Sequence, residues 1–251
     1  MKRAQWIRLI QRTLAFVMIL GLAQATPAKA QTGHDEHYPD VSEAEFSVLI
    51  LGDSQMAGVG WKDGYANCIK EAYPNAKVIN LAQDGKLLTD GGILGQWDYY
   101  LEKECPMPDV ILMDGGANDL FYLPRDGHIE NWVNKVCDTL HYLLEKIHLQ
   151  SPDTQVIYCT FPPLVEWNDP AKGPPEYKAQ KIFWKKLVAV SNTFGHVTVL
   201  DLFSLNSFHY PCRLCYQEYL ADSVHLNENG YRKTFEHIDS ILAALLAEKL
   251  E

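Results

Sequence analysis

The chain has 251 residues, of which 47% are hydrophobic, and a formal charge of −10 at pH 7. Residues 1–30 contain five basic residues and no acidic ones, so the rest of the chain has 17 basic against 32 acidic residues and a formal charge of −15. A surface this acidic repels phosphate backbones and anionic membranes, which argues against a nucleic-acid partner.

Residues 1–30 have the features of a secretory signal peptide. The segment starts with basic residues, continues with an apolar run over residues 14–23, and ends in Ala28-Lys29-Ala30, the small-x-small pattern that signal peptidase reads. The apolar run is shorter than the roughly 20 residues that a transmembrane helix needs, although an uncleaved signal anchor is the alternative. We therefore predict cleavage before Gln31, a secreted or periplasmic location, and no stable membrane insertion after cleavage.

Beyond a polar lead-in at residues 31–45, the chain alternates between short apolar runs and helical patterns. Five runs are nearly continuous in apolar character, as buried parallel strands are, and they cover residues 46–51, 77–81, 109–113, 155–159 and 196–200. Three longer segments have apolar residues at three- and four-residue spacing, which predicts helices over residues 129–149, 177–190 and 231–246.

This alternation predicts one α/β domain over residues 46–251. Helices on both faces of a five-stranded parallel sheet give a three-layer α/β/α sandwich. Two connections, residues 161–176 and 203–220, are longer than such a fold requires, and long loops in a compact domain are more often functional than idle. Ligands of open parallel sheets lie beyond the carboxyl ends of the strands, so the residues just after each apolar run are the informative ones.

Six cysteines follow the predicted signal peptide, and an even count in an exported chain favours disulfides. They are Cys68, Cys105, Cys137, Cys159, Cys212 and Cys215. The last two form a C-x-x-C motif with no helical pattern behind it, which favours a structural crosslink over a thioredoxin-like redox site. We also expect Cys68 to pair with Cys105, and Cys137 with Cys159, although sequence does not fix connectivity.

Four short polar blocks stand just after predicted strands or before the last predicted helix. They are Gly52-Asp53-Ser54-Gln55, residues 80–85 (NLAQDG), residues 114–119 (DGGAND) and residues 222–227 (DSVHLN). Each block alone has an ordinary explanation as a helix cap, a turn or a glycine with positive φ. Their joint occurrence in this order, at one edge of the predicted sheet, is what indicates a catalytic site.

The residue types in these blocks suit nucleophilic catalysis at an acyl centre. A serine hydroxyl such as Ser54 is a weak nucleophile that requires a base, and His225 is of the type that most often serves. Asp222, three residues earlier, can fold back to hold the other ring nitrogen. The backbone N–H of Ser54 or its neighbour, the N–H of Gly85 and the side-chain amide of Asn118 would then form the oxyanion hole. This chemistry requires no metal and no cofactor.

The blocks resemble those of the SGNH (GDSL) hydrolase family, whose four signature residues are Ser, Gly, Asn and His. The matching positions are Ser54, Gly85, Asn118 and His225, and the similarity runs over about residues 46–245. The resemblance implies a flavodoxin-like SGNH hydrolase fold and cofactor-free hydrolysis of carboxylic esters. The substrate would be a lipid, carbohydrate or other small-molecule ester.

Two positions depart from the family pattern. Gln55 stands where the family usually has Leu, and Leu226 where it often has Pro. We expect neither position to take part in the chemistry, but both weaken any transfer of substrate from the lipase and lysophospholipase branches. The Gly-x-Ser-x-Gly elbow of α/β-hydrolases is absent around Ser54, which argues against that fold.

Two other functions are compatible with the sequence. In an O-acetyltransferase the same acyl-enzyme would pass its acyl group to a sugar hydroxyl, and a catalytically silent envelope- or carbohydrate-binding protein would keep the site without turnover. All four signature residues and Asp222 are present, so loss of catalysis has no support in the sequence. An exported serine esterase is therefore the function that we predict.

Overall fold

The computed structural model describes residues 45–122, 129–162, 174–205, 207–208 and 213–250. In this part of the chain one sheet is formed by β1 (Ser47–Leu51), β2 (Lys77–Asn80), β3 (Val110–Met113), β4 (Gln155–Cys159) and β5 (Val197–Leu200). All neighbouring strands are parallel, and the strand order is β2-β1-β3-β4-β5. The predicted five-stranded parallel sheet is confirmed, with each strand end within one residue of its predicted place.

Helices connect and cover these strands. Within the described ranges they are α1 (Ser54–Ala57), α2 (Gly64–Ala72), α3 (Gly92–Glu102), α4 (Ala117–Phe121), α5 (Ile129–Gln150), α6 (Pro174–Ser191), α7 (Leu202–Leu205), α8 (Arg213–Tyr219) and α9 (Glu228–Leu250). The three predicted helices correspond to α5, α6 and α9. Helix α9 starts three residues before its first apolar position because Asn227 caps it, accepting the N–H of Gly230 at 3.1 Å.

The central strands send alternate side chains into two separate cores. In β1, Leu49 and Leu51 pack in the core with α3, α5 and α6, whereas Val48 and Ile50 pack in the core with α2 and α9. Strands β3 and β4 divide their side chains in the same way. This period of two is what a sheet covered on both faces requires, and the three-layer α/β/α architecture is therefore confirmed.

The sheet separates the cysteines that we expected to form two of the disulfides. Cys68 on α2 lies in the core shared with α9, but Cys105 packs against the opposite core. Cys137 on α5 and Cys159 at the end of β4 also lie on opposite faces. All four are free thiols, so both predicted pairings are wrong, because the strands stand between the partners.

The connection over residues 203–220 is not a plain loop. Helix α8 begins at Arg213, within the C-x-x-C motif, and includes Cys215, so the expectation that no helix opens there is wrong. The short helix is anchored by Tyr219, whose ring stacks on Phe208 with the ring centroids 5.1 Å apart. Cys212 lies outside the described residues, and its pairing with Cys215 stays a prediction.

Several sequence predictions fall outside the described residues. These are the signal peptide over residues 1–30, nearly all of the lead-in over residues 31–45, and most of the long connection over residues 161–176. Within the described ranges, no helix combines the length and the apolar character that are needed to cross a membrane.

Candidate active site

The fold creates a crevice where the strand order reverses. Strand β1 lies between β2 and β3, and the chain leaves β1 and β3 toward helices on opposite faces of the sheet. Such a switch point is where open parallel sheets bind their ligands. Ser54 follows β1 and Asn118 follows β3, so the topology places both blocks at this point.

Ser54 is the first residue of α1, a four-residue helix that begins almost directly after β1. Asp53 caps this helix, because its carboxylate accepts the N–H of Gln55 at 3.2 Å. The side chain of Ser54 is 5% exposed. Ser54 therefore lies at the N-terminal, positive end of the peptide dipoles of this helix.

The turn before Ser54 is held by buried side chains. Gly52 has φ +143°, and a Cβ there would collide with Oδ1 of Asp114, so this position requires glycine. The side-chain amide of Gln96 pairs with both backbone groups of Gly52, accepting its N–H and donating to its carbonyl at 2.8 Å each. These contacts leave the turn little freedom to move.

His225 and Asp222 form the pair that the sequence predicts. The ring Nδ1 of His225 lies 2.7 Å from Oδ2 of Asp222, and Oδ1 of Asp222 accepts the N–H groups of Val224 and His225 at 2.7 Å each. Partial burial acts to raise the pKa of Asp222, but the hydrogen bonds from the His225 ring and from the two backbone N–H groups outweigh it and lower the pKa. With Nδ1 bonded to a carboxylate, Nε2 of the neutral ring remains as the acceptor that a general base needs.

The segment that carries His225 lies against the nucleophile helix. The N–H of Leu226 donates to Oε1 of Gln55 at 3.3 Å, and a Cβ at Gly60 would lie 3.3 Å from the Cβ of His225. Among the described residues, no hydrogen bond joins Oγ of Ser54 to the His225 ring. Contacts between nucleophile and base are commonly long before substrate binds.

The amide of Asn118 lies between the first and second blocks. Its Nδ2 donates to Oδ2 of Asp53 at 3.2 Å and to the carbonyl of Lys86 at 3.0 Å. Lys86 follows Gly85, which has φ +73° and an N–H with no bonded acceptor in the described part of the chain. The structure therefore brings the three blocks of the predicted oxyanion hole together, with the Asn118 donors satisfied inside the protein.

Asp119 is a buried residue to which we assigned no role from the sequence. Its Oδ2 accepts the N–H of Leu88 at 2.8 Å, and its Oδ1 accepts the N–H and the hydroxyl of Thr89 at 3.1 and 2.6 Å. These bonds fasten the loop after β2, which carries Gly85, to helix α4, which carries Asn118. In the sequence, this role of Asp119 was indicated only by its position directly after Asn118, at the start of a helix.

Two further carboxyls lie beneath the nucleophile, and sequence reasoning missed their role. Asp53 and Asp114 are 0% and 4% exposed, and they follow β1 and β3 where Leu51 is in register with Met113. Burial raises the pKa of Asp53 to about 6, against the lowering effect of the hydrogen bond from the Gln55 N–H. Burial and the charge of Asp53 raise the pKa of Asp114 well above its ordinary value. Both shifts favour the protonated form of these buried carboxyls.

These carboxyls do not form a metal centre in the described ranges, where no group of three His, Cys, Asp or Glu side chains is placed to hold a metal ion. Oδ2 of Asp114 has no hydrogen-bond partner among the described residues. The Asp114 carboxyl instead stabilises the turn before Ser54, because its Oδ1 accepts the N–H of Asp53 at 2.9 Å. What the site offers chemically is a hydroxyl, a histidine–carboxylate pair and hydrogen-bond donors.

Comparison with known proteins agrees with this geometry. The model of the GDSL-like lipase/acylhydrolase family matches residues 50–233, a range that contains all of the predicted site residues. No curated protein matches the chain in sequence.

Solved structures share the fold over most of their length. The psychrotrophic esterase EstA from Pseudoalteromonas sp. is 23% identical with a TM-score of 0.58, and the match covers 80% of this chain and 99% of that one. An acetylxylan esterase, Axe2, from Geobacillus stearothermophilus is 16% identical with a TM-score of 0.57, covering 84% and 95%. A protein from Lactobacillus plantarum is 17% identical with a TM-score of 0.61, covering 80% and 99%. At these identities the similarity shows the fold alone.

Proposed function

The chain belongs to the GDSL-like lipase/acylhydrolase family, and we propose that it is an exported serine esterase that hydrolyses carboxylic esters through an acyl-enzyme at Ser54. The observation that carries the proposal is the Asp222–His225 pair, with 2.7 Å between Nδ1 and Oδ2, on a segment bonded to the residue after Ser54. A histidine held in this way, on a segment bonded to the helix that begins with Ser54, is equipped to take the proton of the hydroxyl.

In the proposed mechanism, Nε2 of His225 accepts the proton of Ser54 as Oγ attacks the ester carbonyl carbon. The carbonyl π bond opens onto oxygen, giving a tetrahedral intermediate with one negative charge. His225 then returns the proton to the leaving alkoxide as the ester C–O bond breaks, which leaves an acyl-enzyme and an alcohol. A water molecule repeats the sequence, releasing the carboxylic acid and restoring the hydroxyl of Ser54.

The charge of the intermediate would be met by donors that are already in place. Asn118 directs one N–H to the carbonyl of Lys86, and the oxyanion would replace that carbonyl as the acceptor. Ionised Asp53 accepts the other N–H and so orients the amide. The N–H of Gly85, on the neighbouring turn, supplies a further donor.

For the substrate, we propose a neutral acyl or O-acetyl ester of a lipid or a carbohydrate. The acidic chain disfavours anionic substrates by electrostatic repulsion. Tyr122, next to the helix that carries Asn118, leaves 64% of its surface exposed, and such a ring can pack against a sugar or an acyl chain. The fold is shared with an esterase and with an acetylxylan esterase, which motivates acetylated sugars as the first substrates to test.

The test is covalent labelling together with turnover of a chromogenic acetyl ester. A fluorophosphonate should label Ser54, as mapped by peptide mass spectrometry, and folded Ser54→Ala should neither be labelled nor release acetate. A label on another residue, or wild-type turnover by Ser54→Ala, would refute the proposal. The same assay with sugar acceptors distinguishes the esterase from an acyltransferase, because a transferase would form the acetylated sugar in place of free acetate.

Export is a separate part of the proposal and is supported by the sequence of residues 1–30. The intact mass of protein recovered from the periplasm or the medium should correspond to a chain that begins at Gln31. A full-length chain in the membrane fraction would show instead that the segment is an uncleaved anchor. Neither result bears on the catalytic proposal.

A further inference from the structure

The backbone N–H of Leu226, the residue after the proposed base, points away from the segment around Leu220 with which Leu226 pairs. Leu226 forms an antiparallel bridge with Leu220, but the two cross-strand bonds are made by its neighbours: the carbonyl of His225 accepts from Ala221, and the N–H of Asn227 donates to Tyr219. Backbone groups alternate in direction along an extended segment, so the N–H of Leu226 points the other way. It is buried there, toward helix α1.

The acceptor of this N–H is a side chain of the nucleophile helix. Oε1 of Gln55 lies 3.3 Å from the Leu226 nitrogen, and Leu226 and Gln55 are 0% and 3% exposed. The hydroxyl of Tyr231 lies 3.3 Å from the same Oε1 and donates to the Gln55 carbonyl at 2.8 Å. The Nε2 of Gln55 is buried without a partner among the described residues. A glutamine with an unpaired amide group destabilises the fold, so its presence needs a compensating contact.

We propose that Gln55 is a positioning residue, which holds His225 against the helix of Ser54 by accepting the N–H of Leu226. This inference rests on the proposed function. Because His225 precedes Leu226 directly, a shift of the Leu226 backbone would carry the imidazole away from the nucleophile. The side chain of Gln55 is buried and contacts the Leu226 N–H, so its effect on His225 is exerted through the backbone.

The hydrogen bond also explains why Gln55 and Leu226 occur together in this chain. Gln55 and Leu226 are the two positions at which the sequence departs from the family pattern of Leu and Pro. A proline has no N–H and a leucine side chain has no acceptor, so that combination needs no hydrogen bond here. In this chain the N–H and its acceptor are both present, and replacing only Gln55 would leave the buried N–H of Leu226 without an acceptor.

A double-mutant cycle tests this relationship. Gln55→Leu alone leaves the Leu226 N–H unpaired, and we expect kcat to fall between about 10- and 100-fold with KM changed less than about twofold, because the base is displaced. The Tm should fall by roughly 2–10 °C. Adding Leu226→Pro to Gln55→Leu should restore most of both losses. Losses that add in the folded double variant would overturn the proposal.

A second cycle covers the outcome in which proline does not fit the backbone at this position. Gln55→Met keeps the length of the side chain without an acceptor, and exchange of the Leu226 amide for an ester, with the α-hydroxy acid of leucine, removes only the N–H. The ester should restore kcat in the Gln55→Met protein and lower it in the wild type. An ester that lowers kcat equally in both proteins would refute the proposal.

The control is Gln217→Met, because Gln217 is exposed on α8 and should leave kcat and Tm unchanged. Labelling of Ser54 by a fluorophosphonate in every variant distinguishes a failure of the proposed function from a failure of the role of Gln55. If Ser54→Ala retains turnover, the proposed function fails. If Ser54 is required but the cycles show no coupling, the role of Gln55 alone fails.

Discussion

The backbone N–H of Asp53 donates to Oδ1 of Asp114 at 2.9 Å, so the residue before the nucleophile is bonded to the loop after β3. Asp53 also caps the nucleophile helix and accepts from the amide of Asn118. One buried carboxyl pair therefore connects the first and third blocks of the site. Burial raises the pKa of both carboxyls, which disfavours ionisation of the two together.

The first prediction concerns the proton on Asp114. Its raised pKa means that the folded protein holds a proton that the unfolded chain has already released, so the folded state loses stability as the pH rises from about 4 toward that pKa. Asp114→Asn keeps the shape and removes this titration. We expect the variant and the wild type to have similar free energies of unfolding at about pH 4. Above pH 4, the free energy of unfolding of the variant should exceed that of the wild type by a margin that grows by at most about 1.4 kcal/mol per pH unit.

Urea unfolding of both proteins across this pH range measures the difference. Asp138→Asn, at an exposed position on α5, is the matched control and should show no such trend. A gap between Asp114→Asn and wild type that stays constant or narrows with rising pH would show that Asp114 is ionised in the folded protein.

The second prediction concerns the carboxylate behind the base. Asp222→Asn exchanges an acceptor for an amide that can donate to Nδ1 of His225, which moves the ring proton to Nε2 and removes the general base. We expect kcat to fall by roughly 10²–10⁴-fold. The Asp222 side chain is 54% exposed, so the Tm should change little. Measured kcat close to wild type in the folded variant would mean that the histidine acts without this partner.

The sequence predicts the sheet and the blocks well, because both depend on local patterns. Each strand is a short apolar run, and each block follows a strand or precedes a helix, so the topology alone brings Ser54 and Asn118 to one edge. The hydrogen bond between Gln55 and Leu226 joins positions 171 residues apart, and no local pattern indicates it. The wrong pairings of Cys68 and Cys137 have a similar origin, because sequence shows that a residue is buried but not on which face of the sheet it lies.

The third prediction follows from those thiols. Burial raises the pKa of Cys68 and of Cys137 to about 11, and that of Cys159 well above its ordinary value, so all three are protonated at neutral pH. We expect them to react slowly with a disulfide reagent in the native protein and fully in denaturant, without any reductant. Cys105, which is only partly buried, should react first. A peptide map that joins any of these residues in a disulfide would contradict the structure.

The fourth prediction concerns Asn118, whose amide would donate a hydrogen bond to the oxyanion. The negative charge of this oxyanion develops only on attack at the carbonyl. Asn118→Ala should therefore lower kcat by roughly 10²–10³-fold and change KM much less, since a donor of this kind stabilises the transition state more than bound substrate. Asn118→Asp, of the same size, places a carboxylate where the oxyanion forms, and should lose at least as much activity. Asp119 keeps α4 attached to the loop after β2 in both variants, so both should fold. Steady-state kinetics on the acetyl ester decide the matter: a raised KM with unchanged kcat for Asn118→Ala would mean that the amide binds the ground-state ester and is not part of the oxyanion hole.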